Sequence, residues 1–158
     1  MANKTIQDLL VLHHKDAYLW ALQCCLYNSD NAKDVLQIAY LKVLDNKAVF
    51  KNKSSFKTWL YSVIRFTAID FYKKQPKYVV LEDNNYQVPA VDNKQDLNLK
   101  KYLEALPDRQ RQVLLLAFYH DLTLEAISKV LDLHIGTVRT HYQRGKDSLR
   151  EQLKAIAV

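Results

Sequence analysis

From Thr5 onward the chain reads as apolar stripes at helical spacing, broken by short polar punctuation. Leu9, Leu12, Tyr18, Leu19, Leu22 and Leu26 recur at intervals of mostly three and four, which predicts a first helix to about Asn28. Thr5 with Asp8 three positions on forms a capping-box pattern at its start. Ser29 or Asp30 caps a second helix, with Val35, Leu36, Ala39, Tyr40, Val43 and Leu44 inward and Asp34, Gln37 and Lys42 as its polar edge. After a polar turn at Asp45 to Lys53, Ser54 and Ser55 are alternative caps of a third helix. It runs through Lys74 and stops at Pro76, because the residue before a proline disfavours helix. Phe56, Trp59, Leu60, Val63, Ile64, Thr67 and Phe71 form its predicted core face. Lys57, Tyr61, Arg65 and Tyr72 fall on the other side.

From Tyr78 to about Gln95 the helical period is lost and Asn, Asp and Pro89 accumulate. The segment reads as a connection, with a short strand at Tyr78–Leu81 as an alternative. Leu97 to Leu106 forms a short helix ended by Pro107. Pro107 and Asp108 open another helix that contains Val113, Leu114, Leu116, Ala117 and Phe118. Thr123 then caps a helix with Ala126, Ile127 and Val130 inside; Leu131 to Leu133 turns the chain, and Val138, Tyr142, Gly145 and Leu149 anchor a last helix. Small residues where two helices cross at a tight turn make a helix-turn-helix pattern. The start of the second helix in such a unit enters the major groove, so Thr137, Arg139, Thr140, His141 and Arg144 are the candidate base and phosphate contacts.

Composition narrows this picture. Two glycines and three prolines in 158 residues leave little turn chemistry for a multi-stranded sheet. The expected fold is all-α: two small helical domains joined by a flexible linker, the second a helix-turn-helix unit of winged-helix-like or tetrahelical type. The boundaries are 1–76, 77–96 and 97–158. Glycine scarcity also excludes most phosphate-cradling loops and the nucleophile elbow. Cys24 and Cys25 are adjacent on a helix and point about 100° apart, so they read as free core thiols of a reducing compartment. His13 and His14 do not share a face, and no pair has zinc spacing, so no metal and no cofactor is expected. No catalytic residue is assigned, since Asp70 is better explained as the partner of a nearby cation. The N-terminus lacks a signal core and no run reaches membrane length, which predicts a cytoplasmic protein without membrane insertion.

Charge then singles out one stretch. Residues 51–77 hold seven Lys or Arg (Lys51, Lys53, Lys57, Arg65, Lys73, Lys74, Lys77) against one acid, Asp70, a sum equal to the whole net charge of +6. Six aromatics share the stretch: Phe56, Trp59, Tyr61, Phe66, Phe71 and Tyr72. Cations track a phosphate backbone and flat rings stack on unpaired bases, so single-stranded nucleic acid is the first suspect.

The two halves together resemble an RNA polymerase sigma factor of the compact extracytoplasmic-function (ECF) type. The resemblance lies in Asp34-Val-Leu-Gln37 with Leu41, Ser55-Phe56-Lys57-Thr58-Trp59-Leu60-Tyr61 and Ala68-Ile69-Asp70 of the first half. In the second it lies in Leu106-Pro107-Asp108-Arg109-Gln110-Arg111, Val113-Leu114-Leu115-Leu116 and Gly136-Thr137-Val138-Arg139. It implies that Asp34, Gln37 and Lys42 dock on the β′ clamp helices of core RNA polymerase. It further implies that Phe50, Lys51, Lys53, Ser55, Lys57, Tyr61, Arg65 and Tyr72 recognise the −10 promoter element and hold its melted strand. The C-terminal unit would read the −35 element through Thr137, Arg139, Thr140, His141 and Arg144, and meet the β flap. Regulated members also have an anti-sigma factor. The chain departs from the family pattern at Ile38, Asp132, His134, His141 and Gly145. The competing reading is a helix-turn-helix regulator that binds DNA without polymerase.

Overall fold

The computed structural model describes residues 5–75 and 101–156. These fall in two compact units, Met1–Pro89 and Ala90–Val158. The connection and its strand alternative at 78–81 lie outside the described residues, as does the helix from Leu97 except for its end at 101–104. Every regular element among the described residues is helical, and none is long and apolar enough to cross a membrane.

The first unit packs three helices, α1 (Ile6–Cys24), α2 (Ser29–Leu44) and α3 (Phe56–Lys73). Thr5 begins α1 through the expected box: its side chain accepts the Asp8 N–H at 3.1 Å, and the Asp8 carboxylate accepts the Thr5 N–H at 3.2 Å. Neither Ser29 nor Asp30 caps α2. Asn28 does, its Oδ1 accepting the Asn31 N–H at 3.0 Å, because α1 stops at Cys24 and the chain turns through Leu26 and Tyr27 at positive φ. Ser55, of the two serines, caps α3 by accepting the Thr58 N–H at 3.1 Å.

The interior of this unit is Trp20 with Ala17 and Ala21 from α1, Val35 and Ala39 from α2, and Leu60, Tyr61 and Ile64 from α3. Burying each large apolar side chain contributes about 1.5–3 kcal/mol. Because α3 packs against both α1 and α2, its buried arc is wide and turned from the predicted one. Phe56, Leu60, Ile64 and Thr67 are buried as expected, but Trp59, Val63 and Phe71 sit at the margin, and Tyr61 and Ala68 take the centre.

In the second unit α4 (Asp108–Leu114) opens at Pro107 and runs into a π-helical turn, Leu115–Tyr119. The wider turn carries the His120 N–H back to the Leu115 carbonyl at 3.1 Å. Thr123 caps α5 (Leu124–Leu131) by accepting the Ala126 N–H, and α6 (Ile135–Ile156) follows. Asp132 ends α5 in the left-handed region at φ 53°, which Asp tolerates better than most residues. Gly145 lies against Leu114, where an added Cβ would come within 2.8 Å of Cδ1. The glycine is there for close helix approach, which its low helix propensity alone does not explain.

Candidate nucleic-acid interface

The exposed side of α2 carries Asp34 and Gln37 together with Ile38, Leu41 and Leu44, all open to solvent. Lys42, placed with Asp34 and Gln37 by the sequence, lies at the edge of that side, one turn beyond Ile38, half-buried, with its ammonium donating to Thr67 Oγ1 at 3.2 Å. Beside Gln37 a groove between α1 and α2 is lined by His14, Tyr18, Lys33, Leu36, Tyr40 and Leu41. His14 Nδ1 and the Tyr40 hydroxyl are 3.0 Å apart there, and burial pushes the Tyr40 phenol up to about 12.

The loop after α2 separates scaffold from surface. Phe50 is no open base-stacking ring: it is half-buried, edge-on to Phe56 at 5.6 Å and tilted against Trp59 at 5.3 Å. Lys51 and Lys53 are exposed. Ser55 is exposed too, but its hydroxyl is committed to the cap and to Thr58 Oγ1 at 2.9 Å.

On α3 two predicted surface tyrosines are structural. Tyr61 is 0% exposed and stacks on Trp20 with ring centroids 5.6 Å apart. Its hydroxyl donates to the Asp16 carbonyl at 3.2 Å, while Trp20 Nε1 donates to the Tyr61 carbonyl at 3.1 Å. Tyr72 is half-buried; its hydroxyl donates to the Cys25 carbonyl and accepts from Asn31 Nδ2, both at 3.2 Å, tying α3 to the α1–α2 turn. Lys57 and Arg65 are half-buried on the flanks of this face, Lys57 over the Tyr61 ring at 5.6 Å and Arg65 against Phe66 at 5.8 Å. The physical cause is the second neighbour: once α1 covers α3 as well as α2 does, the outward arc shrinks to Ser62, Phe66, Asp70 and Lys73, with Trp59 at its edge.

Phe66, 46% exposed, is therefore the aromatic that the sequence reading left unassigned. The helical period could not have found it: at about 100° per residue it falls within about 20° of Trp59, which the pattern places on the core face.

Burial pushes the Cys25 thiol up to about 11, and raises Cys24 well above its ordinary value despite the nearby Arg65. Among the described residues no three His, Cys, Asp or Glu are grouped to hold a metal.

In the second unit Val138 is fully buried and α6 presents the opposite arc to solvent. Thr137, Arg139, Thr140 and Arg144 are exposed on it, and Gln143 joins them. His141 is half-buried at the edge of the arc, with Nδ1 enclosed and unpartnered. Two contacts shape the start of the helix. His134 Nδ1 accepts the Gly136 N–H at 3.3 Å, and the Thr140 hydroxyl donates to the Gly136 carbonyl at 3.0 Å.

Comparison with known proteins bears on both units. The family model for Sigma-70 region 2 matches residues 9–77, and that for Sigma-70 region 4 matches residues 96–149. The chain is 32% identical to RNA polymerase sigma factor SigV of Bacillus subtilis (strain 168) over 157 residues, 95% of this chain and 94% of that one. It is 28% identical to ECF RNA polymerase sigma factor SigW of the same organism, covering 90% and 86%. Its fold matches that of the sigma factor RpoE in complex with the anti-sigma factor NepR from Bartonella quintana, with TM-score 0.75 at 24% identity over 94% of this chain and 96% of that one. It also matches CnrH in complex with the cytosolic domain of CnrY, with TM-score 0.66 at 17% identity over 94% and 87%.

Proposed function

The chain belongs to the RNA polymerase sigma factors of ECF type, and from that premise we propose how its surfaces divide the work of promoter-specific initiation. The exposed side of α2, with Asp34 and Gln37 around Ile38 and Leu41, docks on the clamp helices of core polymerase. Lys42 borders that side next to Ile38 and ties it to α3 through Thr67. The loop lysines Lys51 and Lys53 and the outward arc of α3, Phe66 with Lys73 and the edge of Trp59, hold the melted strand of the −10 element. Thr137, Arg139, Thr140 and Arg144 read the −35 duplex.

The contribution is binding and strand capture. Stacking and phosphate contacts favour the opened duplex, while polymerase carries out the chemistry. Two modest DNA contacts tethered through one polymerase gain effective concentration, so neither unit has to bind tightly alone. The protein works in the cytoplasm without a cofactor. An anti-sigma factor is the regulatory partner, as the complexes of the structural neighbours suggest.

The observation that carries the reading is the exposed aromatic and cationic arc of α3, in the same chain as a helix-turn-helix whose second helix turns Arg139 and Arg144 to solvent. Purified protein added to core polymerase is expected to initiate transcription from a subset of promoters in a genomic library. No core binding together with no initiation at any promoter would sink it. Phe66→Ala combined with Lys73→Ala is expected to weaken opening more than closed-duplex binding.

A further inference from the structure

Asp70 is the single acid among residues 51–77, against seven Lys or Arg. It is exposed on the outward arc of α3, one turn beyond Phe66 and three residues before Lys73. The sequence pattern points to a cation as its partner, and the structure corrects this. Lys73 at i+3 and Lys74 at i+4 are within reach on a helix, yet among the described residues Asp70 closes no ion pair. The bridges found there, Arg111–Asp108 and Arg150–Asp147, both lie in the second unit. Lys42, across the α2–α3 seam, gives its ammonium to Thr67 Oγ1. Beside the carboxylate a cavity of about 220 Å³ opens between α2 and α3, lined by Asp70 with Ile38, Lys42, Thr67, Phe71 and Lys74. Pockets for drug-sized molecules run to ~300–1,000 Å³; this smaller one suits a single flat ring system, with Ile38 and Phe71 as apolar walls.

An unpaired carboxylate on a face that tracks phosphates weakens backbone binding by like charge, and a group that donates to it offsets that loss. On a melted strand such a group is the Watson–Crick edge of an unpaired base. An ionised carboxylate only accepts. Of the four edges, guanine alone presents two adjacent donors, N1–H and the N2 amine. Adenine and cytosine set an acceptor nitrogen beside their amine, and thymine sets its N3–H between two carbonyl oxygens. We infer that Asp70 selects a guanine of the melted −10 strand, accepting from N1 and N2 while the base occupies the cavity and Lys73 and Lys74 hold the adjoining phosphates. The inference rests on the sigma-factor reading above, and adds to it the base that this chain prefers. A carboxylate that read paired DNA from the major groove would instead accept from cytosine N4, so the two modes predict different bases.

The test uses the full chain bound to core polymerase and a promoter library in which each −10 position carries each of the four bases, read by abortive transcript yield. At one position the wild type is expected to prefer guanine about tenfold, the discrimination of a good bidentate base contact. Hypoxanthine, which lacks the N2 amine, should lose most of that preference at the same position. 7-Deazaguanine, altered only on the opposite edge, should keep it. Asp70→Asn sets a donor beside an acceptor and should move the preference there to adenine or cytosine, with the other positions unchanged. Asp70→Ala should flatten it. Asp70 is exposed, so neither substitution disturbs the core. An unchanged profile for Asp70→Asn overturns the proposal, as does a uniform gain at every promoter, the signature of relieved phosphate repulsion. A wild-type preference for cytosine that Asp70→Asn removes also overturns it, in favour of groove reading. If the wild-type chain initiates from no promoter, the sigma-factor reading has failed and the base assignment falls with it.

Discussion

Replacing Gly145 by alanine sets two opposing effects against each other. Alanine in a helix interior is favoured over glycine by about 1 kcal/mol, and Gly145 lies well inside α6. Against this, the new Cβ would stand 2.8 Å from Leu114 Cδ1, 3.1 Å from Cγ and 3.5 Å from Cδ2. Rotating the leucine tip alone does not clear the clash, because Cγ itself is at 3.1 Å and must also shift, and Leu114 is buried at 1% exposure. Overpacking of this kind costs about 1–3 kcal/mol, so Gly145→Ala should destabilise the second unit by a net ~1 kcal/mol. The sign should reverse when the obstacle is removed. In a Leu114→Ala background, itself about 2–5 kcal/mol less stable, the same substitution should recover about 1 kcal/mol, giving a coupling well above the few tenths expected of independent sites. Both tryptophans lie in the first unit, so tryptophan fluorescence is blind to this change. Native-state hydrogen exchange of α4 and α6 amides reads it directly. A full stabilisation by Gly145→Ala in the wild-type background would refute the contact.

Four further outcomes are expected. Leu26 sits at φ 52° and is 42% exposed, a conformation costing L-residues about 1–2 kcal/mol; Leu26→Gly should raise the urea midpoint read by tryptophan fluorescence, despite glycine's greater chain entropy. Tyr61→Phe removes the hydrogen bond to the Asp16 carbonyl and should cost about 1 kcal/mol, with open-complex yield at saturating protein unchanged; a selective loss of opening would return Tyr61 to the DNA surface. The Cys25 thiol is held up to about 11 in the folded chain against an ordinary 9.0, so the folded state binds its proton more tightly than the unfolded one. Stability from this group is therefore complete below about pH 9 and lost as pH rises towards 11, and Cys25→Ala should flatten that slope in urea titrations. Lys42→Met should weaken core-polymerase binding far less than Gln37→Ala in a competition assay, since Lys42 faces Thr67.

The elements that the sequence disclosed are those governed by local chemistry. The Thr5–Asp8 box and the caps at Ser55 and Thr123 appear where the pattern puts them, because each depends on residues three apart. The cap of α2 falls at Asn28 and not at Ser29 or Asp30 because it depends on where α1 ends, which is settled by the positive-φ turn at Leu26 and Tyr27. The π-helical turn at Leu115–Tyr119 has no compositional signal; the close approach of Leu114 to Gly145 is a tertiary fact. The same division applies to the candidate site. Arg139, Thr140 and Arg144 are legible because α6 buries one face, and a single period decides which way they point.

On α3 a single stripe was not enough. A helix clamped between two partners buries more than half its circumference, and an aromatic such as Tyr61 then has two readings that composition cannot separate. Tyr61 and Tyr72 each spend their hydroxyls on backbone carbonyls of other segments, a use available only to a polar-tipped ring turned inward. Phe66 has no such tip, yet it is the ring left outside. The arrangement is the reverse of a polarity-based guess, and it has a physical logic. In a core between α1 and α2, a tyrosine can add a second hydrogen bond to carbonyls that already accept a backbone N–H, as the Cys25 carbonyl does from Asn28, and so tie two segments together. A ring meant to stack on a base needs only its face, and an exposed phenylalanine supplies that face with no competing hydrogen bond.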